Sequence, residues 1–397
     1  MDVLLFGLDD VSLSDVTADT CPRITAFRAT AIDFQQAYSH PVCSQSRAGI
    51  LYGAFGKALG TISDLGAFDY DLVRPPASWP TLASVLGGAG YTTALVGKWH
   101  CGAPMNGSAW ELGPWERGYD SWLAGSPLNL DSYTGWLRTD ATGSNFTTIP
   151  NYILYATAEQ RGAALDWLTE TTGPRFLHVA LSAPHGPLHL IPAAYQYLLA
   201  GMTPPISGAT AREKYLAMLR TADTVFGDIL DEVGPDAIVC VYSDNGTAPG
   251  SVGAGQNPAR VKGTTLIGGT RVLLAARLPG VPPGTASGFQ HLVDIPAGIL
   301  AVAGIAKPAE WGSSSVPRSS VLCEAQFADG HKDRCVRTAT WMLRQITAAG
   351  QSTPTEEAYN RVSDPLEATP LAPVAMPPAV LTAMRAALEA AALPPGT

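Results

Sequence analysis

Charge is scarce in this chain. Of its 397 residues only 15% are charged, against 46% hydrophobic, and the balance is negative at −9. That composition excludes a disordered chain and leaves enough apolar material for a large core, in one large domain plus a small one or in two mid-sized domains. There is no Lys/Arg cluster, so nucleic acid is not an expected partner, and an anionic ligand would need a local positive site. No run of about 18 apolar residues occurs, which removes a transmembrane helix and a membrane partner from the expectations. The opening "MDVLLFGLDD" lacks the basic stretch and small-residue cleavage site of a secretory leader. A cytoplasmic location is therefore expected, or a secreted or periplasmic one if a leader has been removed. Cysteine is also sparse: Cys21, Cys43, Cys101, Cys240, Cys323 and Cys335 are too thinly spread for a disulfide framework. Free thiols are expected, although Cys323 and Cys335 could pair. Internal repeats and low-complexity tracts are absent.

What is present is an alternation of two patterns. Four short apolar runs have the length and β-branched content of strands buried on both faces: "DVLLFGL" (2–8), "TTALVG" (92–97), "FLHVALS" (176–182) and "AIVCVYS" (237–243). Helical spacing marks 79–90, 153–170 and 211–234. The fold class expected is α/β, a large, mostly parallel mixed sheet sandwiched by helices. After residue 315 the pattern changes. Weak alternation suggests a small antiparallel sheet, a Pro-rich connector spans 365–378, and 379–393 reads as a closing helix. The expected division is a catalytic α/β domain over 1–315 and a small C-terminal α+β subdomain over 316–397. The Gly-, Pro- and Asn-rich stretches 101–150 and 246–265 are expected to be loops shaping a site mouth.

Each of the four apolar runs is followed at once by polar, reactive residues. They are Asp9-Asp10, Lys98-Trp99-His100, Ala183-Pro184-His185 and Asp244-Asn245-Gly246. In an open α/β sheet that edge binds ligands, so one rim would collect all four groups. Asp9, Asp10, Asp244 and Asn245 offer four hard oxygen donors, which suit Ca²⁺ or Mg²⁺ and disfavour zinc. Taken singly, Asp-Asp and Asp-Asn-Gly are also ordinary turn residues. His178, inside a strand, reads as structural, and His189 carries the same reading less strongly. His100 and His185 fall just past strand ends. Lys98 and Lys262 stand in Gly-flanked segments of a chain with few lysines, although a solvated lysine is the ordinary expectation for either.

Cys43 opens a helical-looking run, "CSQSRAGIL", with Arg47 one turn on. A helix N-terminus favours anionic species. On that ground a low-pKa thiolate nucleophile, a buried structural cysteine and the precursor of a modified residue all stay open.

Seven segments in sequence order resemble the sulfatase family, formylglycine-dependent members of the alkaline-phosphatase-like superfamily. They are "VLLFGLDD", "FQQAYSHPVCSQSRAGILYG", "GYTTALVGKWHCG", "APHGPLH", "YSDNG", "KGTTLIGGTRV" and "EEAYNRVSDPLE". The resemblance implies that a formylglycine-generating enzyme converts Cys43 to formylglycine, whose hydrated aldehyde attacks sulfur. It implies a divalent cation, Ca²⁺ with Mg²⁺ as second choice, held by Asp9, Asp10, Asp244, Asn245 and residue 43 itself. Arg47, Lys98 and Lys262 would stabilise charge on the sulfuryl group. His185 or the lysines would protonate the leaving oxygen, and His100 would assist release. The substrate implied is a small anionic sulfate ester, aryl or alkyl. Two departures stand out: Gln45 replaces the family's Pro or Ala, and Ile267 stands where a glutamate often precedes Gly-Gly-x-Arg. The chain is also short for the family. A phosphomonoester, phosphodiester or phosphonate hydrolase on the same scaffold is the alternative, and a non-catalytic anion-binding relative the third reading.

Overall fold

The computed structural model describes residues 1–56, 58–59, 78–101, 113–327 and 329–390. Its large sheet contains β1 (Val3–Leu8), β2 (Ile32–Tyr38), β3 (Thr92–Lys98), β4 (Ser121–Ser126), β5 (Trp136–Thr142), β6 (Asn145–Tyr152), β7 (Arg175–Ala180), β8 (Ile238–Ser243), β9 (Leu274–Arg277) and β10 (Gly284–His291). The spatial order is β10-β2-β9-β8-β1-β7-β3-β4-β5-β6. The four strands expected from sequence, β8, β1, β7 and β3, are consecutive neighbours and pair in parallel. Their register sets Gly7 opposite both Ala180 and Tyr242, and Gly97 opposite Ala180. All four therefore end at one level.

Helices cover both faces. Leu4, Phe6 and Leu8 point to one side, into a core shared with α1 (Pro22–Ala29), α4 (Ala156–Glu170) and α5 (Ala211–Glu232). Val3 and Leu5 point to the other, toward α2 (Cys43–Tyr52), α3 (Leu82–Gly88) and α7 (Ile295–Ala303). This is the period-2 alternation of a strand filling two layers. The helix ends follow local chemistry: Thr210 and Glu213 form a capping box at the start of α5, as do Thr81 and Ser84 at α3. The one-turn α6 (Ile267–Thr270) precedes β9.

A separate antiparallel sheet near the C-terminus comprises β11 (Val321–Gln326), β12 (Lys332–Arg337), β13 (Trp341–Thr347) and β14 (Thr355–Asn360) in sequence order. The closing helix α8 (Pro378–Ala390) packs Met384 and Leu388 against Val336 and Leu343. The end of the expected helix, 391–393, lies outside the described residues. Val321, Cys323, Met342 and Tyr359 from this sheet meet Tyr38 and Phe289 of the large one and Leu266, the residue before α6. Cys323 and Cys335 face each other across β11 and β12 as thiols, and all six cysteines are free.

The stretch 101–150 differs from its expectation. Residues 102–112 lie outside the described residues, but much of the remainder forms β4, β5 and the start of β6. β5 and β6 are joined by a two-residue turn at Gly143-Ser144, where Gly143 has φ +55°. The Gly that suggested a loop supplies the left-handed backbone of a hairpin. Among the described residues no helix is long and apolar enough to cross a membrane.

Candidate active site

The aligned strand ends deliver their side chains to one buried cluster. Beyond β1 the backbone N–H of Asp10 donates to Asp244 Oδ1 at 3.1 Å, and that of Asp244 donates to the Leu8 carbonyl at 3.0 Å. Asp10 and His100 both adopt left-handed backbone, φ +66° and +52°, which is uncommon outside glycine and clusters at functional sites. Gly246 is compelled: a Cβ there would lie 1.9 Å from the Gly268 carbonyl oxygen.

Cys43 is the first residue of α2, a helix whose ten residues are all buried. Its Sγ lies 3.4 Å from Asp9 Oδ1, 3.8 Å from Asp10 Oδ1 and 3.2 Å from Lys262 Nζ. Lys262 Nζ also reaches Asp10 Oδ1 at 2.6 Å, and Asn245 Nδ2 donates to the same oxygen at 2.7 Å. Lys98 Nζ sits 2.5 Å from Asp9 Oδ2. The Arg47 guanidinium bridges Asp9 Oδ2, at 3.3 Å, and Asp244 Oδ2, at 2.9 Å. His185 Nε2 is 3.7 Å from Asp10 Oδ2, and its Nδ1 meets the Gly186 carbonyl at 2.8 Å. Cys43, Arg47, Lys98, His185, Lys262, Asp9, Asp10, Asp244 and Asn245 thus form one connected network. His100, two residues past Lys98, is buried at the same rim with its N–H on the Pro127 carbonyl.

Electrostatics inside the cluster are nearly balanced. Three carboxylates (Asp9, Asp10, Asp244) face three fixed cations (Arg47, Lys98, Lys262). Burial pushes the Asp9 carboxyl up, but Lys98, His185, Arg47 and Lys262 outweigh it and hold the group well below its ordinary range. Burial, with Asp9 beside it, raises Asp244 to about 6 despite Arg47 and Lys98. Burial first, then Asp9, also raises the Cys43 thiol well above its ordinary value. Of the three readings left open for Cys43, this speaks against the low-pKa thiolate. Arg47 spends its charge on the two aspartates, and Asp9 faces the sulfur instead. As a thiol, residue 43 is not an activated nucleophile.

The residues fit a hard divalent cation. Three carboxylates converge with Asn245, whose Oδ1 is buried and has no hydrogen-bond partner among the described residues. An acceptor aimed into such a pocket without a donor is explained by a cation.

His178, expected to be structural, is fixed between the hydroxyls of Tyr119 and Tyr242, at 2.8 and 2.9 Å. Burial lowers it to about 3. His189 packs at a tilt against Tyr133, ring centroids 4.5 Å apart, and meets the Tyr155 hydroxyl at 3.3 Å.

Sequence reasoning missed the groups behind the site. Ser12 and Thr247 clasp reciprocally, each backbone N–H donating to the other's hydroxyl at 3.0 and 2.9 Å, so the loops after β1 and β8 are locked together. The Tyr215 hydroxyl lies 3.0 Å from the Asp10 carbonyl and 3.1 Å from Asp15 Oδ2, and Arg212 pairs with Asp15 at 2.7 Å. Nothing in the spacing of these residues could have marked them. Ile267 finds its carboxylate elsewhere: its backbone N–H donates to Glu367 Oε2 at 2.8 Å, and the same buried Glu367 pairs with Arg337. A carboxylate from the C-terminal segment thus meets the turn at Ile267.

Comparison with known proteins places this arrangement in context. A sequence model of the sulfatase family, described as Sulfatase, matches residues 5–305. The chain is 28% identical to arylsulfatase G of Rattus norvegicus over 334 residues, covering 73% of this chain and 61% of that protein. It is 26% identical to N-acetylgalactosamine-6-sulfatase of Homo sapiens over 371 residues, covering 82% and 66%. The chain thus spans a little under two thirds of these curated relatives. Among solved structures, Ps i-CgsB in complex with k-i-k-neocarrahexaose superposes with a TM-score of 0.79 at 20% identity, covering 100% of this chain and 94% of that one. BT4656 in complex with its substrate D-glucosamine-2-N,6-O-disulfate gives 0.71 at 15% identity, covering 98% and 97%. At such identities these likenesses speak for the fold.

Proposed function

The chain belongs to the sulfatase family, and from that premise we propose that it hydrolyses a sulfate ester, with residue 43 as formylglycine and a divalent cation, Ca²⁺ before Mg²⁺, in the aspartate cluster. The observation that carries this reading is the convergence of Cys43 with three carboxylates, three fixed cations and His185 at the ends of four parallel strands. With the carboxylates and cations cancelling, an added dication leaves the pocket at about +2, suited to a sulfuryl group shedding an alcohol. Conversion of Cys43 supplies an oxygen nucleophile in place of a thiol that burial holds protonated, and the cation supplies charge neutralisation at the sulfuryl oxygens.

The chain's own residues then have distinct tasks. Arg47 and Lys98 fix the carboxylates Asp9 and Asp244. Lys262, 3.2 Å from the side chain of residue 43, is placed to hold a sulfuryl oxygen. His185 turns Nδ1 to a carbonyl, so Nε2 faces the site and delivers a proton to the leaving oxygen once protonated. His100 serves release of the bound product. Gln45, buried in the first turn of α2, replaces the family's Pro or Ala but does not open the helix N-terminus.

A sulfated sugar is the favoured substrate class over a simple aryl or alkyl sulfate. Support comes from the relatives, one named for N-acetylgalactosamine 6-sulfate and one crystallised with a glucosamine disulfate. The test is a matched panel: an aryl sulfate, N-acetylgalactosamine 6-sulfate, and the corresponding aryl phosphate. The mass of the tryptic peptide 29–47 is measured on the same preparation. Turnover of sulfate esters with formylglycine at position 43 is expected. Phosphate cleavage faster by orders of magnitude, or full activity with an intact thiol, overturns the reading.

A further inference from the structure

The sequence argued against zinc by counting oxygen donors alone. The folded chain adds two others. One ligand atom each from Asp9, Asp10, Cys43 and His185 lies within 4.8 Å of all the rest. We propose that, for as long as residue 43 is a cysteine, these four side chains form a zinc site. Hard oxygens with one sulfur and one imidazole nitrogen make a four-donor set of the kind tetrahedral Zn²⁺ takes, whereas Ca²⁺ seeks six or more oxygens.

The spacing agrees. A tetrahedron with bonds of about 2.0–2.3 Å has edges of about 3.3–3.8 Å. Cys43 Sγ is 3.4 Å from Asp9 Oδ1, and His185 Nε2 is 3.7 Å from Asp10 Oδ2, both within that range. The unengaged atoms are the right ones. Lys98 and Arg47 hold Asp9 through Oδ2, so Oδ1 is left facing the sulfur. Lys262 and Asn245 hold Asp10 through Oδ1, so Oδ2 is left facing His185. The Gly186 carbonyl accepts from His185 Nδ1, so Nε2 is the nitrogen turned to the site, the orientation a metal-bound histidine needs. Asp244 is already committed to Arg47 and to the Asp10 N–H, and stays outside. His185 is part-exposed, which gives the ion access.

Binding converts the thiol to a thiolate: Zn²⁺ forms the S–Zn bond and the thiol proton leaves to solvent. Replacing sulfur by the oxygens of formylglycine removes the soft donor, so conversion of residue 43 also switches the pocket from zinc to a hard cation. The zinc state precedes the proposed sulfatase chemistry and does not require it.

The experiment uses the full chain with Cys43 unconverted, verified by the mass of peptide 29–47 and stripped with a chelator. Co²⁺ is titrated as the spectroscopic probe and Zn²⁺ as competitor. One near-ultraviolet sulfur-to-cobalt charge-transfer band per chain, abolished by stoichiometric Zn²⁺, is expected. Cys43→Ser and His185→Ala should each raise the Zn²⁺ Kd by about a hundredfold or more, with melting curves confirming that both fold. Lys262→Met should tighten binding, because an ammonium beside the ligands is removed. Co²⁺ bound without a sulfur band, or Zn²⁺ bound as tightly by Cys43→Ser as by the parent, overturns the proposal. Sulfate-ester turnover by converted protein is assayed separately, so its absence alongside an intact sulfur band refutes the enzymatic reading and supports the zinc site.

Discussion

Replacing Lys98 by Met tests the charge balance of the cluster most directly. Lys98 and Asp9 are both fully buried at 2.5 Å, at the centre of the parallel sheet's rim. Removing the ammonium leaves Asp9 with Arg47 at 3.3 Å, and the cluster gains one net negative charge. Breaking a buried pair by deleting one partner costs about 3–5 kcal/mol, because the remaining charge stays desolvated. A contrasting pair, Arg23–Asp231 at 2.6 Å, has side chains 42% and 63% exposed. Its removal should cost no more than about 1 kcal/mol. Both variants are unfolded in urea in the presence of a chelator. Adding Ca²⁺ should restore part of the Lys98→Met loss, since the extra negative charge favours a dication. Saturation at a hundred times Kd contributes about 2.7 kcal/mol. Sulfate-ester turnover should still fall, by about 10–100-fold, because Asp9 loses the ammonium that fixes its carboxylate in the cluster. If the two variants unfold at the same urea concentration, or Lys98→Met turns over normally, the balanced-cluster argument is wrong.

Other expectations follow from the same contacts. Burial holds His40 down at about 4. The unfolded chain therefore binds a proton from about pH 6.5 downward that the native state refuses, and stability rises with pH between about 4 and 6.5, by about 3 kcal/mol from His40 alone. A plot of unfolding free energy that is flat across that window refutes this. Glu367→Gln leaves the buried Arg337 guanidinium without its countercharge and should cost about 3 kcal/mol or more, read by denaturant unfolding. Faster amide exchange in the segment after Lys262 should accompany it. Tyr215→Phe removes the hydroxyl beside the Asp10 carbonyl and should weaken Ca²⁺ binding by about 10–100-fold in calorimetry, and unchanged affinity would show that the left-handed Asp10 needs no such support.

Much of this protein was legible before folding. Runs such as "DVLLFGL" and "AIVCVYS" can be buried only as central strands, since they carry apolar residues on both faces, and they became the four adjacent parallel strands. The polar residues that follow them had to emerge at a common edge, because parallel strands in register end together. The outer strands were illegible for the opposite reason. β6 is exposed along almost its whole length and β2 is only part-buried, so neither carries a continuous apolar signal.

Residue types and chain order determined which chemistries were available: hard oxygens, a few fixed cations, and a cysteine at a helix start. Only the tertiary structure decided how those groups are shared. It buried the Cys43 sulfur and set Asp9 beside it, and so raised a thiol that local sequence would have lowered. It brought Glu367 from the C-terminal segment to the turn at Ile267, and joined the loops after β1 and β8 through Ser12 and Thr247. Local sequence fixes periodicity and helix ends over a few residues. The energy of a buried charge depends on whatever lies within a few ångströms, and here those neighbours are up to hundreds of residues away along the chain.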